Sequence, residues 1–167
     1  MDWAKRIHPI TPQTRDRVTA YIADEWFGTD MLIRGEVIDM AQVDGFVLLG
    51  DLGELLGLVT YIIRGGACEI TSLNSECEGC GIGTALVGRV KAEALARGCT
   101  RLRVMTTNDN LNAIGFYQKR GFAWVGVNFG AIDLERAQKP EIPLIGQNGI
   151  EMHHENDFSM ELAPPPP

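Results

Sequence analysis

Three glycines at alternate positions stand in the run Glu78-Gly79-Cys80-Gly81-Ile82-Gly83-Thr84-Ala85-Leu86. The run follows a strand-like segment, residues 69–75, and leads into a helix-like segment, residues 84–97. Glycine removes the side chain where a backbone must bend sharply or come close to something. The start of a helix carries N–H groups without intrahelical partners and the positive end of the helix dipole. Together these features suit an anion, and a phosphate above all. The competing reading is a tight strand-to-helix turn that binds nothing. Two familiar nucleotide loops do not match. A Walker loop needs a lysine after its last glycine, and Thr84 follows Gly83 directly. A dinucleotide loop needs a third glycine at position 86, where Leu86 stands. The acidic ribose-binding residue expected about 20 residues further on is replaced by Thr106 and Thr107.

A second segment, Asn112-Ala113-Ile114-Gly115-Phe116-Tyr117-Gln118-Lys119-Arg120-Gly121-Phe122, narrows the choice of phosphate. Taken with the glycine run, it makes the chain resemble the GCN5-related N-acetyltransferase (GNAT) superfamily. That family's acetyl-CoA loop follows [QR]-x-x-G-x-[GA], here residues 78–83. Its later helix carries an asparagine, an alanine, a tyrosine and a closing Gly-Phe, as here. The first loop position departs from the pattern: Glu78 stands where the family has Gln or Arg. A carboxylate beside a diphosphate is unfavourable unless it turns away, so Glu78 is left out of the expected contacts.

The resemblance implies that acetyl-CoA is the co-substrate, with no metal. Its diphosphate would lie on the N–H groups of Gly79, Gly81, Ile82, Gly83 and Thr84. Its pantetheine arm would run beside Leu73, Asn74 and Ser75, borrowing their backbone groups as another strand would, and Asn112 would touch the same arm. Acetyl transfer to an amine needs a proton taken from the amine, a stabilised oxyanion and a proton given to the departing thiolate. By similarity Tyr117 is the proton donor; its rival reading is a core aromatic beside Phe116. Glu69, at the start of the strand before the loop, is the candidate base, directly or through water. A solvated strand-end residue is the other reading of Glu69. The implied activity is N-acetylation of a primary amine on a small molecule or peptide, by direct transfer in a ternary complex. A non-catalytic acyl-CoA-binding module or sensor with the same fold is the alternative.

Other residues carry weaker signals. Cys77 and Cys80 form a C-x-x-C, read either as small residues around a turn or as a redox or metal pair. The four cysteines fit neither a disulfide scaffold nor a full zinc site. His153 and His154 on one strand would point to opposite faces and could not easily share a metal. Arg101 and Arg103 share a strand face that is either solvated or turned to an acidic ligand. Trp26 belongs either to an acceptor pocket or to the core.

The elements that must position these residues follow from patterning. Thr11-Pro12 caps a helix whose apolar residues Val18, Tyr21, Ile22 and Trp26 recur at helical spacing and which ends near Gly28. Residues 31–39 read as a short strand with a turn at Arg34-Gly35. Residues 46–49 and 55–63 flank a turn at 50–53 as a hairpin, and a third strand covers 69–75. The helix after the loop has an apolar stripe of Leu86, Val87, Val90, Ala94 and Leu95, a Glu93–Arg97 pair and Gly98 as terminator. A strand at 101–106 follows. A helix capped by Asn108 or Asp109 then runs to Arg120, and a strand covers 122–129. Residues 130–149 show no clear period, while 150–153 and 158–162 supply late strand pieces. The order predicts an α/β (α+β) fold of GNAT type: a mixed, mostly antiparallel sheet of six to seven strands with helices on both faces.

The bulk properties agree with one domain over residues 1–162 and a disordered proline tail at 163–167. Of the 167 residues, 45% are hydrophobic and 22% charged, the balance of a soluble globular protein. The formal net charge of −7 argues against general nucleic-acid binding. There is no apolar run of membrane-span length and no signal-like start, so a cytoplasmic location is expected. Similar proteins that pair through late strands point to a homodimer as one assembly.

Overall fold

A computed structural model of the chain describes residues 1–163. Residues 164–167, most of the expected proline tail, lie outside the described residues. Among the described residues are nine strands and four α-helices. The fold class is the expected one, α+β with a mixed, mostly antiparallel seven-stranded sheet and a two-stranded hairpin. The described chain divides into two compact units, one of Met1–Leu102 with Leu162 and Ala163, the other of Arg103–Glu161.

The first unit opens with a 3-10 turn, Trp3–Arg6, and strand β1, Ile7–Pro9. Helix α1, Pro12–Glu25, begins as expected: Thr11 is the N-cap, Pro12 takes the first helical position, and Thr11 and Thr14 cap each other's backbone reciprocally. Strands β2, Asp30–Ile33, and β3, Glu36–Asp39, form a hairpin where a single strand was expected. The turn between them is Arg34-Gly35, with φ of +50° and +80°. Two successive left-handed residues match the twist of a two-residue hairpin.

Strands β4, Asp44–Leu49, β5, Leu55–Arg64, and β6, Ala67–Ser75, continue the unit, in the order β1–β4–β5–β6 with every neighbour antiparallel. Helix α2, Ile82–Ala96, buries Ile82, Leu86, Val87, Val90 and Ala94. Gly57 on β5 allows this packing: a Cβ there would lie 2.7 Å from Ile82 Cγ2 and 2.9 Å from Leu86 Cδ1. Arg97 Nε donates to Glu93 Oε1 at 3.1 Å, and Gly98 ends the helix at φ +76°, both as expected.

The second unit holds most of β7, Arg101–Thr107, then α3, Leu111–Lys119, β8, Ala123–Asn128, α4, Ala131–Gln138, and β9, Glu155–Glu161. The strand order is β7–β9–β8. Three expectations are corrected here. Asn110, not Asn108 or Asp109, caps α3, its side chain accepting from the Ala113 N–H at 3.0 Å. The region from 130 contains a helix, α4, after Gly130 in the left-handed conformation at φ +74°. Residues 150–153 are no strand: Glu151 makes only an isolated bridge with Ile145, and β9 starts at Glu155. Asn108 explains the irregular path, since its side-chain oxygen accepts from the His153 and His154 N–H groups.

Among the described residues no helix is long and apolar enough to cross a membrane, and no group of three or more His, Cys, Asp or Glu could hold a metal ion.

Candidate functional site

The glycine run forms the turn from β6 into α2. Gly79 and Gly81 take φ of +74° and +84°, the left-handed region that costs a residue with a Cβ about 1 kcal/mol or more. Gly81 is the N-cap, and no side chain caps the helix. The first intrahelical N–H bond runs from Ala85 to the Gly81 carbonyl. The helix thus starts at Ile82, two residues before the expected Thr84. Ile82, Gly83 and Thr84 therefore stand in its first turn, ahead of the intrahelical ladder. A Cβ at Gly79 would meet no atom within 4 Å, so it is the left-handed φ and not crowding that calls for glycine there.

Contacts distant in sequence hold the turn. Trp3 Nε1 donates to the Cys80 carbonyl at 2.8 Å. A trans peptide directs its C=O and N–H to opposite sides. The indole on the Cys80 carbonyl therefore turns the Gly81 N–H away from itself. The Tyr21 hydroxyl donates to Glu76 Oε1 at 2.8 Å, tying the end of β6 to α1. Burial, then the Glu76 carboxylate, keeps that phenol protonated well above the usual tyrosine range. Cys77 and Cys80 are joined as a disulfide with Cα atoms 5.7 Å apart. Of the two readings of the C-x-x-C, the structure takes the paired one.

On β6, Leu73, Asn74 and Ser75 lie opposite Val59, Leu58 and Gly57 of β5. The backbone groups of these residues that face β5 are taken up by that pairing. Asn74 Oδ1 is buried with no hydrogen-bond partner among the described residues, a costly state that an amide N–H donor would relieve. A bulge interrupts the pairing just before this stretch: Ser72 faces Thr60 and Ile70 faces Tyr61, leaving Thr71 as the extra residue. Bulges of this kind re-aim side chains and collect near active sites. Here the Thr60 hydroxyl lies 2.7 Å from that of Thr71 and 2.5 Å from that of Ser72, inside the core.

Glu69 opens β6's central run opposite Ile62. It is 7% exposed, so it is not the solvated strand-end residue of the rival reading. Arg34 Nε, from the hairpin turn, donates to Glu69 Oε1 at 3.1 Å. At about 3.3 Å per residue, Glu69 lies roughly 13 Å along the strand from Leu73. A cavity of about 460 Å³ opens elsewhere in this unit, lined by Glu36, Asp39, Asp44, Tyr61, Arg64 and Arg97 among others. None of the expected site residues lines it.

Asn112 and Tyr117 sit on α3 in the second unit. Of the neighbours Phe116 and Tyr117, the tyrosine is the one turned inward, 5% exposed. Its ring packs edge-on against Phe116 and Phe122, with centroids 5.3 and 5.4 Å away, and lies 5.8 Å from Phe158. The ring thus packs among core aromatics, with the hydroxyl at the end of the buried side chain. Its hydroxyl makes no hydrogen bond among the described residues. Burial holds it protonated far above the usual tyrosine range.

Of the remaining candidates, Trp26 has a buried indole Nε1 with no hydrogen-bond partner among the described residues, while Arg103, His153 and His154 have structural partners. Arg103 pairs with Asp157 at 3.3 Å. His153 lies between Asp133, 2.8 Å from Nδ1, and Glu151, 2.9 Å from Nε2. His154 Nδ1 accepts from the Gly130 N–H at 3.0 Å. Trp3, Tyr21 and Arg34 have no motif in the sequence that marks them, because their roles come from contacts 35 to 77 residues away.

Comparison with known proteins agrees with this geometry. The family model for the acetyltransferase (GNAT) family matches residues 8–122. The uncharacterised protein YdhI of Bacillus subtilis (strain 168) is 40% identical over 153 residues, covering 92% of this chain and 96% of that protein. Among solved structures, a GNAT family acetyltransferase from Elizabethkingia anophelis, determined with acetyl-CoA bound, superposes with a TM-score of 0.69 at 19% identity, covering 93% of this chain and 97% of that one. An IAA acetyltransferase from Bacillus cereus superposes with a TM-score of 0.68 at 22% identity, covering 93% and 98%. With a family model spanning most of its length and a relative at 40% identity, the chain belongs to the acetyltransferase (GNAT) family.

Proposed function

We propose that the protein is an acetyl-CoA-dependent N-acetyltransferase acting on a primary amine by direct transfer. The observation that carries this reading is the turn at Gly79–Thr84: two left-handed glycines leading into an α-helix with no side-chain cap. A helix start without a side-chain cap suits a diphosphate. Gly79, Gly81, Ile82, Gly83 and Thr84 would hold that diphosphate through their backbone. The orphaned Asn74 Oδ1, between Leu73 and Ser75, suits an amide donor of the pantetheine arm. Asn112 would contact the same arm.

When bound, acetyl-CoA supplies an acetyl group activated as a thioester. Tyr117 holds a proton that burial prevents it from losing to water, and its role is to give that proton to the departing thiolate. Glu69 is the base for the amine, acting directly or through water. Arg34 fixes the orientation of its carboxylate. Cys77 and Cys80 lie on the turn assigned to the diphosphate and are given no part in the acetyl transfer. The chain works as a soluble cytoplasmic protein in this reading, and its acceptor is a small molecule or peptide amine.

The test is incubation with acetyl-CoA and a panel of amines, following free thiol. Thiol release that depends on one or more amines supports the enzyme. Tight CoA binding without release for any acceptor would move the assignment to a non-catalytic acyl-CoA sensor.

A further inference from the structure

Cys77 and Cys80 bracket Glu78-Gly79 within the turn that leads into α2. Their Cα separation of 5.7 Å lies in the ordinary range for a disulfide. Both residues are exposed. The other two cysteines differ. Cys68 and Cys99 are 0% and 4% exposed, and burial pushes the Cys68 thiol up to about 12. The chain thus has one accessible vicinal pair and one inert buried pair. Exposed disulfides are the labile and regulatory ones.

The position of the accessible pair gives it a consequence. The bridge spans Gly79, held at φ +74°, and ends on Cys80, whose carbonyl receives the Trp3 indole. Without the bridge, Gly79, inside the ring it closes, visits both halves of φ space. Its amide must then be ordered before it can meet an anion together with those of the helix start, and that ordering subtracts from affinity.

We infer that Cys77–Cys80 is a reversible redox site that sets the grip of this turn on the cofactor diphosphate, with the oxidised form binding more tightly. The inference rests on the acetyl-CoA reading above. The oxidant is a low-molecular-weight disulfide. One cysteine thiolate attacks it, forming a mixed disulfide and releasing one thiol. The second cysteine attacks the mixed disulfide, closing Cys77–Cys80 and releasing the second thiol. Two electrons and two protons pass from the cysteine pair to the small disulfide, which leaves as two thiols, and excess thiol reverses the exchange.

The experiment equilibrates the full chain in glutathione disulfide or in glutathione, then measures intact mass and titrates CoA calorimetrically. The oxidised protein is expected to be lighter by two hydrogens and to bind CoA roughly tenfold more tightly than the reduced protein. The double variant Cys77→Ser/Cys80→Ser should show the reduced affinity in both buffers. Trp3 fluorescence, isolated by comparison with Trp3→Phe, should change with oxidation in the wild type and not in the double variant. Equal CoA affinity in both buffers, or no bridge formed in glutathione disulfide, overturns the redox site while leaving the acetyl-CoA reading intact. No CoA binding in either buffer overturns the acetyl-CoA reading itself, and the redox inference with it.

Discussion

The proposed cofactor cradle and the proposed acid and base are built in opposite ways. The cradle after β6 is main chain: left-handed glycines and the first turn of α2. Glu69 and Tyr117 are side chains, buried in packed surroundings that fix what each can do. A main-chain site depends on φ and ψ and on what pins the turn, so it tolerates changes of side chain. A side-chain site depends on single atoms, so one substitution can remove the chemistry while the fold persists.

The largest effect should come from Tyr117. Replacing it by Phe keeps the ring against Phe116, Phe122 and Phe158 and deletes only the hydroxyl. Turnover should fall about 100-fold or more, with CoA affinity unchanged, as read by thiol release and calorimetry. Equal turnover would remove Tyr117 from the mechanism and erase half of the contrast.

The cradle predicts the reverse pattern. Gly81→Ala places a Cβ at φ +84°, 3.9 Å from the Trp3 ring, so there is room but conformational strain. CoA affinity should drop about tenfold, in line with a penalty of ~1 kcal/mol or slightly more at a left-handed site. Glu78→Gln, on the same turn, should change affinity by about twofold or less, because the grip is assigned to amides. A larger effect for Glu78 than for Gly81 would show the cradle to be side-chain built.

The Glu69 end of β6 sharpens the comparison through stability. Arg34→Met leaves a buried carboxylate without its Arg34 cation, whereas Glu69→Gln removes the charge that needed it. The first should cost more, about 1–3 kcal/mol in urea unfolding. Glu69→Gln should lower turnover with little loss of stability.

The smallest effect lies outside both regions. His153 is raised above its usual range of 6.5 by hydrogen bonds to Glu151 and then Asp133. A group with a raised folded pKa stabilises fully below its unfolded pKa, and that contribution is lost as pH rises through the folded value. Asp133 is lowered from 3.8, chiefly by the hydrogen bond to His153. Its contribution is present above that value and fades in acid. Melting temperature should therefore decline slightly as pH rises through the region just above 6.5, and His153→Gln should abolish the decline.

The same contrast decides what could be read from the sequence. Main-chain features announce themselves locally. The alternating glycines marked the turn, Thr11-Pro12 marked the start of α1, and the run 46–63 marked the β4–β5 hairpin. Features made by distant contacts did not. Helix α4 has eight residues and buries only Ile132 among them. It is held by Arg136, which donates to the carbonyls of Ile142, Pro143 and Met152. Strand β1 is three residues ending in proline and exists through its pairing with β4. Glu69 looked like a strand-end carboxylate because nothing near it in sequence announces Arg34. Phe116 and Tyr117 differ by one position on a helix, and only the packing of Phe122 and Phe158 selects which ring turns inward.

The central claim is that the amides at the start of α2 hold a diphosphate. Calorimetric titration with CoA and, separately, with pantetheine, which carries the arm and thiol but no phosphate, tests it most directly. The account predicts saturable CoA binding and at least a 100-fold loss for pantetheine, since the diphosphate is assigned the main share of the grip. Equal binding of the two, or no heat with CoA, would contradict it.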